Sequence, residues 1–178
     1  GTRLLGIARA SVLHGLDQGR PLPVDLADLP PELAAPRATF VTLTRGGRLR
    51  GCVGRLQAER PLAQDVAANA YAAAFEDSRF QPLERAELAG LGIHVALLTA
   101  PEPILFTGEA DLLRQLEPGV DGLVLEAGRR RATFLPAVWA SLPEPADFLR
   151  ELKVKAGLGA GEVPGLRAWR YFTECVED

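Results

Sequence analysis

The apolar positions change period along the chain, and the changes mark out its elements. Leu4, Leu5, Ala8, Val12 and Leu16 recur at helical spacing, with Thr2 placed as N-cap and Gly19 ending the pattern. His14, near the end of this helix, is given no role. Residues 20–38 mix Pro21, Pro23, Pro30, Pro31 and Pro36 with Leu22, Val24, Leu26, Leu29 and Leu33, which predicts an ordered connector. Residues 39–44 read as a strand, Gly46-Gly47 as a two-residue type I′ turn, and residues 49–54 as the returning strand. Pro61 suits a first helical position, and a helix through Leu62, Val66, Ala70 and Ala73 runs to about Phe75. Its many alanines let it lie close to a sheet. Asn69 is its odd polar member, expected to bond a neighbouring backbone.

Beyond this helix, residues 93–99 alternate with both faces apolar, which predicts a central strand ended by Pro101-Glu102-Pro103. His94 then stands on a mostly apolar face and reads first as a satisfied core histidine, second as a general base. A short helix over 109–116 leads to a second hairpin over 123–135, a helix ending at Gly157, and a last strand over 166–173. The order hairpin, helix, strand thus occurs twice, at 39–99 and 123–173, and raises an internal duplication. The fold class expected is α+β: a single domain over 1–178, with sub-lobes near 39–99 and 119–173 and the helix 2–18 packed on them. The hairpin 39–54 and the strand 93–99 are expected in one sheet.

The first hairpin carries the candidate chemistry. Gly51 and Gly54 flank Cys52, and a glycine within a strand often marks a bulge or a close approach to the backbone. If the turn alone sets the register, Leu43 faces Arg50 and Val41 faces Cys52. Arg50 and Cys52 then share a face about 7 Å apart, within reach of a guanidinium that would favour the thiolate. The alternative reading makes Cys52 a small buried hydrophobe. Asp77 and Arg79 lie too near in sequence for a helical pair and read as loop residues that bond backbone groups or each other.

Composition narrows the classes. A net charge of −3 argues against a basic nucleic-acid-binding domain, although arginines gather at Arg45, Arg48, Arg50, Arg55 and Arg60 and at Arg129-Arg130-Arg131. Two cysteines make no disulfide framework, and with no apolar run long enough to span a bilayer the expectation is a cytoplasmic protein without membrane contact. The two Cys and two His show no metal-ligand spacing, so no metal and no cofactor are expected.

Leu49-Arg50-Gly51-Cys52-Val53-Gly54 resembles the LRGCIG signature of the AMMECR family. Ala70-Tyr71-Ala72-Ala73-Ala74-Phe75 and Asp77-Ser78-Arg79-Phe80 are similar to its AYAAAF and DPRF segments, with Ser78 where proline is usual. Gly119-Val120-Asp121-Gly122-Leu123, Thr133-Phe134-Leu135-Pro136 and Lys155-Ala156-Gly157-Leu158 also match, and so does Val95 to Glu102, while His94 and Ala96 stand where that family has Glu and Ser. The likeness covers nearly the whole chain. It implies an α+β fold of two packed lobes with Cys52 in or beside a cleft, and membership of the AmmeMemoRadiSam system as its protein A, beside Memo-type and radical SAM proteins. It supplies no reaction, a role in RNA modification being a conjecture, and the change at His94 weakens any mechanism needing a carboxylate there.

Two expectations about function follow. In one, the chain is a cysteine-dependent enzyme acting on a small anionic molecule or RNA. Cys52, Arg50 and His94 are then catalytic, and Gly51, Gly54, Asp77, Arg79 and Asp121 bind substrate or move protons. In the other it is a non-catalytic partner of a radical SAM or Memo-type protein, and the stretch around Cys52 is a docking surface.

Overall fold

A computed structural model describes residues 1–178. In chain order the elements are α1 (Thr2–Gln18), α2 (Pro31–Ala34), β1 (Thr39–Arg45), β2 (Arg48–Gly54), α3 (Leu62–Phe75), β3 (Leu91–Leu98), β4 (Glu102–Ile104), α4 (Glu109–Gln115), β5 (Gly122–Ala127), β6 (Arg130–Phe134), α5 (Pro145–Lys155), β7 (Arg167–Tyr171) and β8 (Thr173–Glu177). Two of the expected helix starts move by one residue. Gly1 rather than Thr2 is the cap of α1, and Pro61 caps α3 instead of opening it. The chain divides into two compact units, Gly1–Ala100 with Glu174–Asp178, and Pro101–Thr173.

In the first unit the strand order is β2-β1-β3-β8, so hairpin and central strand share one sheet as expected. Gly46 and Gly47 both have positive φ, 57° and 74°, which the type I′ turn requires. Val41, Leu43, Ile93 and Val95 point from one face of the sheet into a core with Val66, Ala70 and Ala73 of α3 and Leu4 and Val12 of α1. The alanines of α3 allow the close approach the sequence suggested. A Cβ on Gly51 would lie 2.0 Å from the Ala73 carbonyl oxygen, so helix backbone occupies the space a side chain would need. Asn69 is buried and donates from Nδ2 to the Thr39 carbonyl (3.1 Å), the Thr39 hydroxyl (3.0 Å) and Asp65 (2.9 Å), which ties α3 to the start of β1.

The hairpin register departs from the turn-only expectation. Arg45 pairs with Arg48 and Thr44 with Leu49, but the pairing then skips Arg50: Leu43 faces Gly51, Thr42 faces Cys52, and Val41 faces Val53. Arg50 is the extra residue of a β-bulge. Unbulged pairing would have set Arg50 beside Leu43, which is fully buried. The bulge keeps that charge off the core face, puts Gly51 under α3, and moves Cys52 to the opposite face, because a one-residue slip exchanges the faces of a strand.

The second unit has strand order β4-β7-β5-β6. Leu123, Leu125 and Ala168 pack with Phe148, Leu149 and Leu152 of α5 and with Trp139, whose ring stacks on Phe148 at 3.7 Å. Matched strand for strand, β2-β1-β3-β8 and β6-β5-β7-β4 carry the same arrangement, a hairpin, the strand that follows its helix, and one further strand. β4 and β8 are absent from the sequence reading. Both sheets are antiparallel and pack against helices, an α+β architecture.

Candidate functional site

The bulge and the strand order together build a row. Thr42 faces Cys52 on one side and His94 on the other. The three side chains therefore stand abreast on the face of the sheet away from the core, one each on β2, β1 and β3. Thr42 Oγ1 lies 3.2 Å from Cys52 Sγ, close enough for a hydrogen bond in either direction. On the far side, His94 Nδ1 is 2.7 Å from Glu177 Oε2 of β8. All four strands contribute one residue. His94 is not the core histidine expected: its side chain is 44% exposed and paired with a carboxylate. Two strand spacings separate Cys52 from His94, about 10 Å. The thiol and the imidazole thus meet only through Thr42 or through a molecule lying over it.

The loop after α3 closes round the backbone of Cys52. Asp77 Oδ2 accepts the Cys52 N–H at 2.9 Å. Arg79 donates from Nε to Asp77 Oδ1 (3.0 Å) and from Nη2 to Asp77 Oδ2 (2.7 Å), and its Nη2 lies 3.5 Å from the Cys52 carbonyl oxygen. Asp77 and Arg79 thus bond both each other and backbone, as the sequence suggested. The Arg79 bond, aided by the Cys52 N–H, holds the Asp77 carboxyl well below the usual carboxylate range. Arg79 is raised in turn, first by Asp77 and also by charge at Cys52.

The Arg50 side chain is engaged away from the thiol. Its Nε and Nη2 grip Glu87 Oε1 and Oε2 at 2.7 and 2.9 Å, and Nη2 also donates to the Gln81 carbonyl at 2.9 Å. This follows from the bulge, which turns Arg50 out of line with Cys52. Arg50 holds the Glu87 carboxyl down at about 2, with help from the Glu84 N–H. Between the two arginines lies Phe80, its ring centroid 5.8 Å from the Arg50 guanidinium and 5.5 Å from that of Arg79. The guanidinium beside Cys52 is that of Arg79.

Gly51 and Gly54 are both hemmed in. The space beside Gly54 is taken by the Phe40 ring, 2.3 Å from where a Cβ would stand, as that beside Gly51 is by α3. Asp121 belongs to the second unit. There its buried carboxylate accepts the Glu117 N–H (2.8 Å) and pairs with Arg170 (3.3 Å), while its carbonyl accepts Trp139 Nε1–H (2.8 Å). Cys52 and Cys175 are not joined by a disulfide. No three His, Cys, Asp or Glu side chains gather as a metal-binding group. No helix is long and apolar enough to cross a membrane.

Sequence reasoning missed Thr42, Glu177 and Glu87. Thr42 becomes visible only with the bulge. Glu87 sits three residues after Glu84, a capping-box spacing that could have drawn attention to it. Nothing in the sequence points from Glu177 to His94.

An antiparallel α+β chain with a thiol set in a cross-strand polar row is the class that fold and site define. The AMMECR1 family profile matches residues 5–176, and the chain belongs to that family. Among its relatives, a protein of Methanothermobacter thermautotrophicus is 36% identical over 159 residues, spanning 89% of this chain and 82% of the relative. One from Thermofilum pendens is 35% identical over 188 residues, spanning 96% and 86%. The crystal structure of the uncharacterized protein PH0010 from Pyrococcus horikoshii superposes with a TM-score of 0.91 at 31% identity, covering 98% of this chain and 89% of that one.

Proposed function

We propose that this AMMECR-family protein is a cysteine-dependent enzyme acting on a small anionic molecule in the cytoplasm, with Cys52 as nucleophile. The observation that carries the reading is the row Cys52–Thr42–His94–Glu177, which sets a thiol and a carboxylate-paired imidazole on one partly open sheet face. A hydroxyl at 3.2 Å can donate to the sulfur once the proton has left. A substrate seated over Thr42 would meet the sulfur at one end and the imidazole, as proton carrier, at the other. Arg79 keeps Nε and Nη2 on Asp77 and leaves Nη1 for an anionic group, the role given it from sequence. Arg50 passes from activating group to scaffold.

The test is carboxymethylation by limiting iodoacetate, followed by mass spectrometry. The Cys52 sulfur bonds the methylene carbon, iodide leaves with its electron pair, and the thiol proton passes to solvent or His94. A single adduct at Cys52, formed before any at the exposed Cys175, is the expected result. Adducts forming first on Cys175 would overturn the reading. An RNA phosphate offers the same oxygen chemistry, and protection of Cys52 by a single-stranded oligonucleotide would move the substrate to RNA.

The second reading is a docking partner for a radical SAM or Memo-type protein. The observation that favours it is that Arg50 and Arg79 are both engaged by carboxylates of the same chain, leaving exposed Arg48 and Leu49 at the hairpin tip for contact. Replacement of Arg48 and Leu49 by Ser should then abolish partner binding, and Cys52→Ser should leave it intact.

A further inference from the structure

Glu177 reaches His94 from the far end of the sequence, and the strand that carries it is pinned on both sides of it. Val176 packs against the core of the first unit. Asp178 accepts the Ile93 N–H at 3.1 Å and Arg9 Nη2 at 2.5 Å. The side chain of Glu177 is itself 62% exposed, so backbone anchoring rather than burial sets where it stands. Its alternation partner Glu174 points the other way, toward Arg37 at 3.7 Å.

A carboxylate only accepts hydrogen bonds, whereas a neutral imidazole has one donor and one acceptor nitrogen. An Nδ1 held 2.7 Å from Glu177 Oε2 must therefore carry the proton. We infer that Glu177 is a positioning residue: it fixes His94 as the Nδ1–H tautomer and leaves Nε2 as the ring nitrogen able to take a proton. The inference rests on the reading of Cys52 and His94 as one site and gives β8 a part in that site. It assigns the basic atom without needing the substrate to be known, and Glu177 acts through His94 rather than on the reacting atoms.

The experiment is a long-range 1H–15N correlation spectrum of the 15N-labelled full chain, in alkaline buffer and with no reagent present. The wild type should show His94 predominantly as Nδ1–H. Glu177→Ala, an exposed substitution, should turn it predominantly to Nε2–H, with the rest of the spectrum still dispersed. Glu174→Ala, on the same strand but the other face, should leave the tautomer alone. An Nε2–H ring in the wild type, no change in Glu177→Ala, or an equal change in Glu174→Ala would each overturn the assignment. Carboxymethylation is read at Cys52 and the tautomer at His94, so either result can fail without the other.

Discussion

Thr42 stands between Cys52 and His94, facing both across neighbouring strands, with its hydroxyl 3.2 Å from the Cys52 sulfur. Replacing it with the isosteric valine removes that hydroxyl and little else. A hydrogen bond to a charged group contributes about 1.5–3 kcal/mol, so Thr42→Val should slow alkylation of Cys52 by about tenfold or more. Thr42 is partly open to solvent, and global stability should change by only about 1 kcal/mol. Alkylation kinetics and urea denaturation on the same preparation separate the two effects.

Gly51→Ala tests the contact that places the bulge under α3. The new methyl would meet helix backbone, which cannot rotate away as a side chain can. We expect a loss of about 3 kcal/mol or more, read as a lower urea midpoint. Gly6 has open space beside it, and as an internal helix position Gly6→Ala should gain about 0.5–1 kcal/mol.

The Arg50–Glu87 pair predicts a pH dependence. The folded-state carboxyl of Glu87 sits at about 2 against an ordinary 4.5, so the folded state favours its ionised form. That contribution is full above pH 4.5 and is lost as pH falls toward 2. Glu87→Gln should destabilise the protein by about 1–3 kcal/mol at neutral pH. It should also flatten this part of the acid limb, as measured by denaturation midpoints across the range. Asp77, depressed in the same direction by Arg79, keeps its own share of the limb in that variant.

Lys153 of α5 offers a prediction confined to the second unit. Its buried ammonium is held by both Glu109 oxygens (2.8 and 3.0 Å) and by the carbonyls of Ala160 (2.9 Å) and Gly161 (2.8 Å). Lys153→Met keeps the volume and leaves those oxygens facing a thioether. A loss of about 3 kcal/mol is expected, with hydrogen exchange accelerated first in residues 157–165. Glu109→Gln in addition should recover part of the loss.

What was legible in the sequence was whatever depended on period and turn chemistry. Paired glycines at 46 and 47 specified the turn, and the alternation of Ile93, Val95 and Leu97 specified a central strand with His94 on its other face. The glycines at 51 and 54 signalled a bulge, but its place and the register it sets were not legible, because Leu49-Arg50-Gly51-Cys52 has no apolar alternation that a slip would disturb. The core packing of Val41 and Leu43 decides that register, and it is not a local property. With the register went the partner of Cys52: Thr42 replaced Val41, and Arg79 replaced Arg50 as the nearby guanidinium. β8 was hidden because Val176 is the one strongly apolar residue facing the core and its partner strand lies some 85 positions away. β4 was hidden because Pro101 and Pro103 read as a stop, whereas Pro103 lies within β4, an edge strand that tolerates it.

We propose that Cys52 works beside an anion-recognising Arg79, and a ratio of two alkylation rates tests this. Iodoacetate and iodoacetamide place the same carbon on the sulfur and differ in charge. Their rate ratio at Cys52, measured in Cys175→Ser, is compared with the ratio at Cys175, measured in Cys52→Ser. The ratio at Cys52 should favour iodoacetate by about tenfold over Cys175, the scale of one charge-assisted hydrogen bond. Arg79→Gln should bring the two ratios together. Equal ratios in the native protein, or a Cys52 preference that survives Arg79→Gln, would contradict it.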